Sequence, residues 1–254
     1  MRVLFVTGTG TEVGKTVVTA AVAAGALARD GTVAVVKPAQ TGVSAGELGD
    51  AAEAARLAGP VTAVELARFP EPLAPATAAR RAGLDPVTAP DVAVVIRNLS
   101  VAHDLVLVEG AGGLLVHFDD RGTTLADAAR LLGAPVLVVV PAGLGTLNAT
   151  ALTLEALRTR RLECAGVVIG SWPAAPDLAA RCNVLDLMNT RSAPLVGAVP
   201  QGAGRLSPTA FRAAATDWLA PVLGGRWDAE AFAMRTQDGR SGVASLARRP
   251  RSGR

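Results

Sequence analysis

Apolar positions along the chain follow two alternating patterns. Short β-branched and aliphatic runs recur at 3–7, 32–37, 104–109, 135–140, 165–170 and 195–199, each the length of a strand buried on both faces. Between most of them lie longer stretches rich in Ala and Leu. These predict helices over 15–29, 50–58, 90–101, 125–132, 148–160, 176–188 and 209–219. Regular alternation of strand and helix implies an α/β fold: an open, mostly parallel sheet with right-handed crossovers and helices on both faces.

Two stretches depart from this rhythm. Between 68 and 90, Pro70, Pro72, Pro75, Pro86 and Pro90 exclude long regular elements, and the segment reads as a structured excursion over the sheet. After Gly224 and Gly225 the composition shifts to Arg, Ser and Gly. A single domain is therefore expected over 1–225, followed by a mobile basic tail over 226–254.

Composition agrees with the pattern and removes several functions. Half of the 254 residues are hydrophobic, yet only 3% are aromatic and Tyr is absent, so Val, Leu and Ala must build the core. Much of the net charge of +3 comes from the last residues. Basic positions elsewhere are scattered and not interleaved with aromatics, which argues against nucleic acid as a partner. Cys164 and Cys182 have neither metal-ligand nor CxxC spacing, and Cys164 opens an apolar run that reads as core. The first strand leads directly into a motif, without a charged leader, and no apolar run reaches the length of a membrane span. A cytoplasmic protein without a membrane partner is expected.

The motif after that strand is Gly8-Thr9-Gly10-Thr11-Glu12-Val13-Gly14-Lys15-Thr16, which leads into an Ala- and Val-rich helix. Strand, glycine-rich loop and helix together form a phosphate-binding loop, so the sheet is expected to be of the P-loop NTPase type. Backbone N–H groups converge on phosphate oxygens, and the helix dipole adds positive potential at its first turn. Lys15 would reach the terminal phosphates, and the Thr16 hydroxyl would ligate Mg2+. The usual glycine six residues before the lysine is replaced by Thr9, with Gly8 one place earlier.

In open parallel sheets ligands gather at the carboxyl ends of the strands. The second strand ends in Lys37-Pro38-Ala39-Gln40-Thr41-Gly42, and Lys37 beside a phosphate loop would stabilise developing negative charge. The 104–109 strand ends in Glu109-Gly110-Ala111-Gly112-Gly113, where a magnesium-binding carboxylate would sit and glycines would admit a substrate closely. A turn cap is the other reading of Glu109. From spacing alone Asp50 reads as a helix N-cap. Leu144-Gly145-Thr146-Leu147-Asn148 opens a helix whose first amides would suit a carboxylate, although an ordinary capped turn explains it as well. His103 and His117 read as surface or cap residues, and Trp172 and Trp218 as packing.

Taken in order, these four motifs, from Gly8 to Asn148, resemble the dethiobiotin synthetases, and weaker similarity extends to about residue 225. The resemblance implies a homodimeric ligase of biotin biosynthesis. It would convert 7,8-diaminopelargonate, CO2 and ATP to dethiobiotin, ADP and phosphate, by way of a carbamate and its mixed anhydride with phosphate. It further implies Thr16, Asp50 and Glu109 as magnesium ligands, with Lys37, Lys15 and Thr11 as catalytic groups. The nucleotide would contact Gly10, Thr11, Glu12, Val13, Gly14, Lys15, Thr16 and Val17. Substrate contacts would come from Thr11, Lys37, Thr41, Gly110, Ala111, Gly112 and Gly113. By the same resemblance, Leu144, Gly145, Thr146, Leu147 and Asn148 of one subunit would cover the substrate carboxylate of the other.

The chain departs from that family at two places. Gly10 stands where Asp is frequent, and Gly170-Ser171-Trp172 stands where many members use Asn-Asp to read adenine. The base is then expected to meet backbone groups near Gly170, Ser171, Pro200, Gln201 and Gly202, and other nucleoside triphosphates become admissible. The alternatives are a nucleotide-dependent switch or metal-maturation factor, and a relative of the cobalamin-pathway amidation enzymes. Partition-type switches would carry Lys at position 10, metal carriers would carry His or Cys clusters, and the amidation enzymes would carry a glutaminase domain.

Overall fold

The computed structural model describes residues 3–190 and 192–237. In chain order the elements are β1 (Val3–Gly8), α1 (Lys15–Leu27), β2 (Val33–Thr41), α2 (Asp50–Ala58), β3 (Thr62–Phe69), α3 (Pro75–Ala82), α4 (Ala89–Ala102), β4 (Leu105–Gly113), α5 (Leu125–Leu132), β5 (Val136–Pro141), α6 (Thr146–Thr159), β6 (Cys164–Trp172), α7 (Leu178–Met188), β7 (Leu195–Pro200), α8 (Pro208–Ala215) and α9 (Ala229–Gln237). The strands form one parallel sheet in the order β3-β2-β4-β1-β5-β6-β7. Helices α1, α2 and α8 bury their apolar residues on one face with Val33, Val35 and Leu137, and the other helices cover the face of Ala34, Val36 and Val138. Burial on both sides explains why the strands read as continuous apolar runs.

All six expected strands are present. Several run further at their carboxyl ends, where β2 and β4 continue into the polar motifs. The seventh, β3, was not expected: it lies at the sheet edge, is only half-buried over most of its length, and carries Glu65 and Arg68 among its apolar positions. The proline-rich excursion also holds more regular structure than expected. Pro75 and Pro90 fall in the first turns of α3 and α4, where a missing N–H costs no helical bond.

The domain boundary expected after 225 is corrected as well. Trp227 and Phe232 are buried, and Phe232 meets the Trp172 ring edge-on at a centroid distance of 5.0 Å. Three aromatic rings placed together here supply apolar area that the Ala-rich core otherwise lacks. The tail expected over 226–254 therefore begins no earlier than the end of α9, and residues 238–254 lie outside the described residues.

The sheet opens a cleft at its carboxyl edge. Strands β2 and β4 pair only as far as Val36 opposite Val108. Beyond that point β2 stays with β3, up to Thr41 opposite Phe69. β4 instead follows β1 through an irregularity in which Val6 faces Glu109 and Gly8 faces Gly113, so residues 110–112 bulge out of register.

Candidate active site

The phosphate loop links β1 to α1 and is held by backbone contacts on both sides. Thr9 N–H donates to Val139 O of β5 at 3.0 Å. A Cβ on Gly14, whose φ is 94°, would stand 2.4 Å from Gly170 O, and one on Gly170 would stand 2.0 Å from Val13 O. The loop and the end of β6 therefore pack backbone to backbone, which only glycine at both positions allows. Helix α1 has no side-chain cap, leaving first-turn N–H groups for an anion. Lys15, 8% exposed, folds back so that Nζ donates to Gly10 O at 2.8 Å. Burial, and then the neighbouring Lys37, hold its pKa below the ordinary lysine value.

Facing the loop across the cleft is a buried cluster of charge. Lys37 Nζ donates to Glu109 Oε1 at 3.1 Å and to Gly110 O at 3.0 Å, and it is ion-paired with Asp50. Burial opposes its charge, but Glu109 and then Asp50 outweigh that and raise its pKa. Thr16 Oγ1 donates to the same Glu109 Oε1 at 2.9 Å. Glu109 is 1% exposed, and its Oε2 has no hydrogen-bond partner. Leaving such an oxygen unsatisfied costs about 1–3 kcal/mol or more. Together with the oxygens of Thr16 and Asp50, it makes an all-oxygen donor set that fits a hard divalent cation such as Mg2+.

A cavity of about 740 Å³ joins these groups. Of the residues singled out in the sequence, it brings together Thr11, Glu12, Gly14, Lys15, Thr16, Val17, Lys37, Thr41, Asp50, Glu109, Ala111 and Gly112. Gly110 contributes its carbonyl to Lys37, and a Cβ there would meet Leu125 Cδ2 at 2.7 Å. Gly10 accepts from Lys15, Val13 is buried core, and Gly113 pairs with Gly8. Asp50 proves to be the first residue of α2, not its cap, and the cap position is Gly49.

Other expected residues lie outside this cavity. Gly170 packs beneath the loop, and Gln201 N–H donates to Trp172 O at 2.7 Å. Ser171, Pro200, Gln201 and Gly202 do not line the cavity. Neither do residues 144–148, where Leu144 is 91% exposed. His103 takes the C-cap position of α4, and His117 is exposed.

The far wall was not foreseen. It is apolar, built by Pro72, Leu73, Ala74, Pro75 and Val116. Gly42 N–H anchors it by donating to Phe69 O and Glu71 O at 3.1 and 3.0 Å, and Ala76 N–H by donating to His117 O at 3.2 Å. Gln40, also on the cavity, is buried at 3% exposure. The proline cluster was the available signal for the wall; Gln40 offered none beyond its place in a motif.

Comparison with known proteins narrows what this site belongs to. A family model described as an AAA domain matches residues 2–205. The ATP-dependent dethiobiotin synthetase BioD of Streptomyces coelicolor is 67% identical over 235 residues, which is 92% of this chain and 99% of that protein. The BioD of Mycobacteroides abscessus is 52% identical over 83% of this chain and 92% of its own length. Among solved structures, a ParA family ATPase from Chlorobium tepidum superposes with a TM-score of 0.52 at 16% identity, covering 88% of this chain and 95% of that one. That likeness speaks for the fold alone: a P-loop NTPase-type α/β sheet. The near-full-length identity to the synthetases reaches further, and by it this chain belongs to the dethiobiotin synthetase family.

Proposed function

We propose that this chain closes the ureido ring of dethiobiotin from 7,8-diaminopelargonate, CO2 and ATP, and that it does so in the cytoplasm. One observation carries the reading: a single cavity has an ionic end, made by Lys15, Thr16, Lys37, Asp50 and Glu109, and an apolar wall made by Pro72, Leu73 and Val116. The ionic end suits a triphosphate and a carbamate, and the wall suits a hydrocarbon chain.

The chemistry asks three things of these residues. One amine adds to CO2 and loses a proton, giving a carbamate. A carbamate oxygen then attacks the γ-phosphorus, and ADP leaves. The second amine attacks the carbamate carbon, and phosphate leaves as the ring closes. The first step creates an anion and the second brings it against the triphosphate, so Lys15 on the phosphates and Lys37 between the two ligands would offset their repulsion and align them. Thr16, Asp50 and Glu109 would hold Mg2+, which supplies further positive charge against the phosphates. The Thr11 and Thr41 hydroxyls and the backbone of residues 110–113 would orient the diamine.

Two finer features belong to the same reading. The exposed Leu144, with Leu147 and Leu152 also exposed on α6, supports a homodimer in which residues 144–148 cover the neighbouring subunit's substrate. The base would be held by groups around Gly170, Ser171 and Pro200–Gly202, and the adenine-reading Asn of many family members is replaced after β6 by Gly170-Ser171, which supports use of triphosphates other than ATP. The test is phosphate release from purified protein with ATP, Mg2+ and bicarbonate. Release is expected only when the diamine is added, together with dethiobiotin; hydrolysis independent of the diamine, with no dethiobiotin formed, would refute the reading.

A further inference from the structure

Helix α2 starts without a local cap. Its cap position is Gly49, which has no side chain to accept a first-turn N–H. A Cβ there would lie 2.0 Å from Glu65 Oε1, 2.8 Å from Arg68 Nη2 and 3.0 Å from Gln40 Oε1, so a Ser, Thr or Asp cap would have to displace the Glu65–Arg68 pair. The first N–H of the helix, that of Asp50, donates instead to Gln40 Oε1 at 2.7 Å, while Gln40 Nε2 donates to Thr41 O at 3.2 Å. One of the unpaired N–H groups at the helix start is satisfied here from the neighbouring strand.

The segment before α2 is gripped from the other side by β3. Arg68, held by both carboxylate oxygens of Glu65 at 2.9 and 2.8 Å, donates to the carbonyls of Ser44 and Glu47 at 3.0 and 2.9 Å. Gln40 is opposite Arg68 in the β2–β3 register. The backbone of Asp50 is thus fixed between two strands, and its carboxylate reaches Lys37 from that fixed point.

We infer that Gln40 is a positioning residue for the proposed reaction: its side chain sets the backbone of Asp50 and Thr41, and so the place of the Asp50 carboxylate opposite Glu109. The inference rests on the reading of Asp50 and Glu109 as magnesium ligands. Its consequence is specific, because a misplaced Asp50 weakens the metal-dependent part of nucleotide binding and leaves the contacts of the phosphate loop in place.

The experiment measures affinity for a non-hydrolysable ATP analogue by calorimetry, with and without Mg2+, in the full chain and in Gln40→Met and Gln40→Glu. Methionine keeps the volume and removes both hydrogen bonds; glutamate keeps the acceptor for the Asp50 N–H. Mg2+ is expected to tighten binding to the unsubstituted chain. In Gln40→Met that tightening should shrink about tenfold, with affinity in the absence of metal unchanged, and Gln40→Glu should retain most of it. An undiminished Mg2+ effect in Gln40→Met, or an equal loss of affinity with and without metal, overturns the inference. If Gln40→Met does not fold, Gln40→Glu decides: loss of the Mg2+ effect there shows that the acceptor is not what matters. Absence of any Mg2+ effect in the unsubstituted chain refutes the metal reading itself, and the inference with it.

Discussion

At the scale of residues, the site turns on one carboxylate shared three ways. Glu109 Oε1 accepts from both Lys37 and Thr16 while Oε2 has no hydrogen-bond partner, so a single buried group links the lysine of β2 to the first turn of α1 and, on the proposed reading, would give its second oxygen to Mg2+. Lys37→Ala would leave the phosphate loop intact. It is expected to lower turnover by about 10²–10³-fold with nucleotide affinity largely retained; steady-state kinetics beside analogue binding checks this, and unchanged turnover would remove Lys37 from the chemistry. Most of this cluster was legible in the sequence, because Lys37 and Glu109 each end an apolar run and so must stand at the sheet's ligand-bearing edge. Gln40 was not. Its importance comes from a hydrogen bond to a helix start ten residues away, and nothing in the local pattern of β2 signals it.

At the scale of elements, strand ends matter more than strand interiors. Parting of β2 from β4 after Val36 and Val108 opens the cleft, and the bulge at 110–112 carries backbone into it. The interiors were readable from Val-rich runs. β3 was missed because edge exposure lets Glu65 and Arg68 into its pattern, and α3 because its opening proline read as an interruption. One close backbone contact between elements is that of Gly14 against Gly170. Gly170→Ala places a Cβ 2.0 Å from Val13 O and 2.5 Å from Val139 Cγ1; the nearer of the two is main chain, so relief requires the loop to move. A cost of about 1–3 kcal/mol in stability is expected, with nucleotide affinity falling about tenfold. Thermal denaturation and calorimetry measure the two, and a variant unchanged in both would show that the loop has slack.

At the scale of the whole molecule, α9 completes the core. Phe232 lies between Trp172 and Trp227, with centroid distances of 5.0 and 5.3 Å. Trp172 ends the strand that packs against the phosphate loop, so α9 braces that strand from outside the four motifs. Truncating Phe232→Ala should cost about 3–5 kcal/mol, read as a fall of several degrees in Tm; no change would place α9 outside the cooperative unit. The strand order has a different consequence, for the time at which the site comes into being. β1 is made first, yet its sheet neighbours β4 and β5 begin at Leu105 and Val136. On a ribosome adding about 5–20 residues each second, the phosphate loop leaves the exit tunnel many seconds before either neighbour exists. Gly170 follows later still. The first motif to be translated is therefore among the last to be built, and until then the emerging chain carries an apolar strand with no sheet to join.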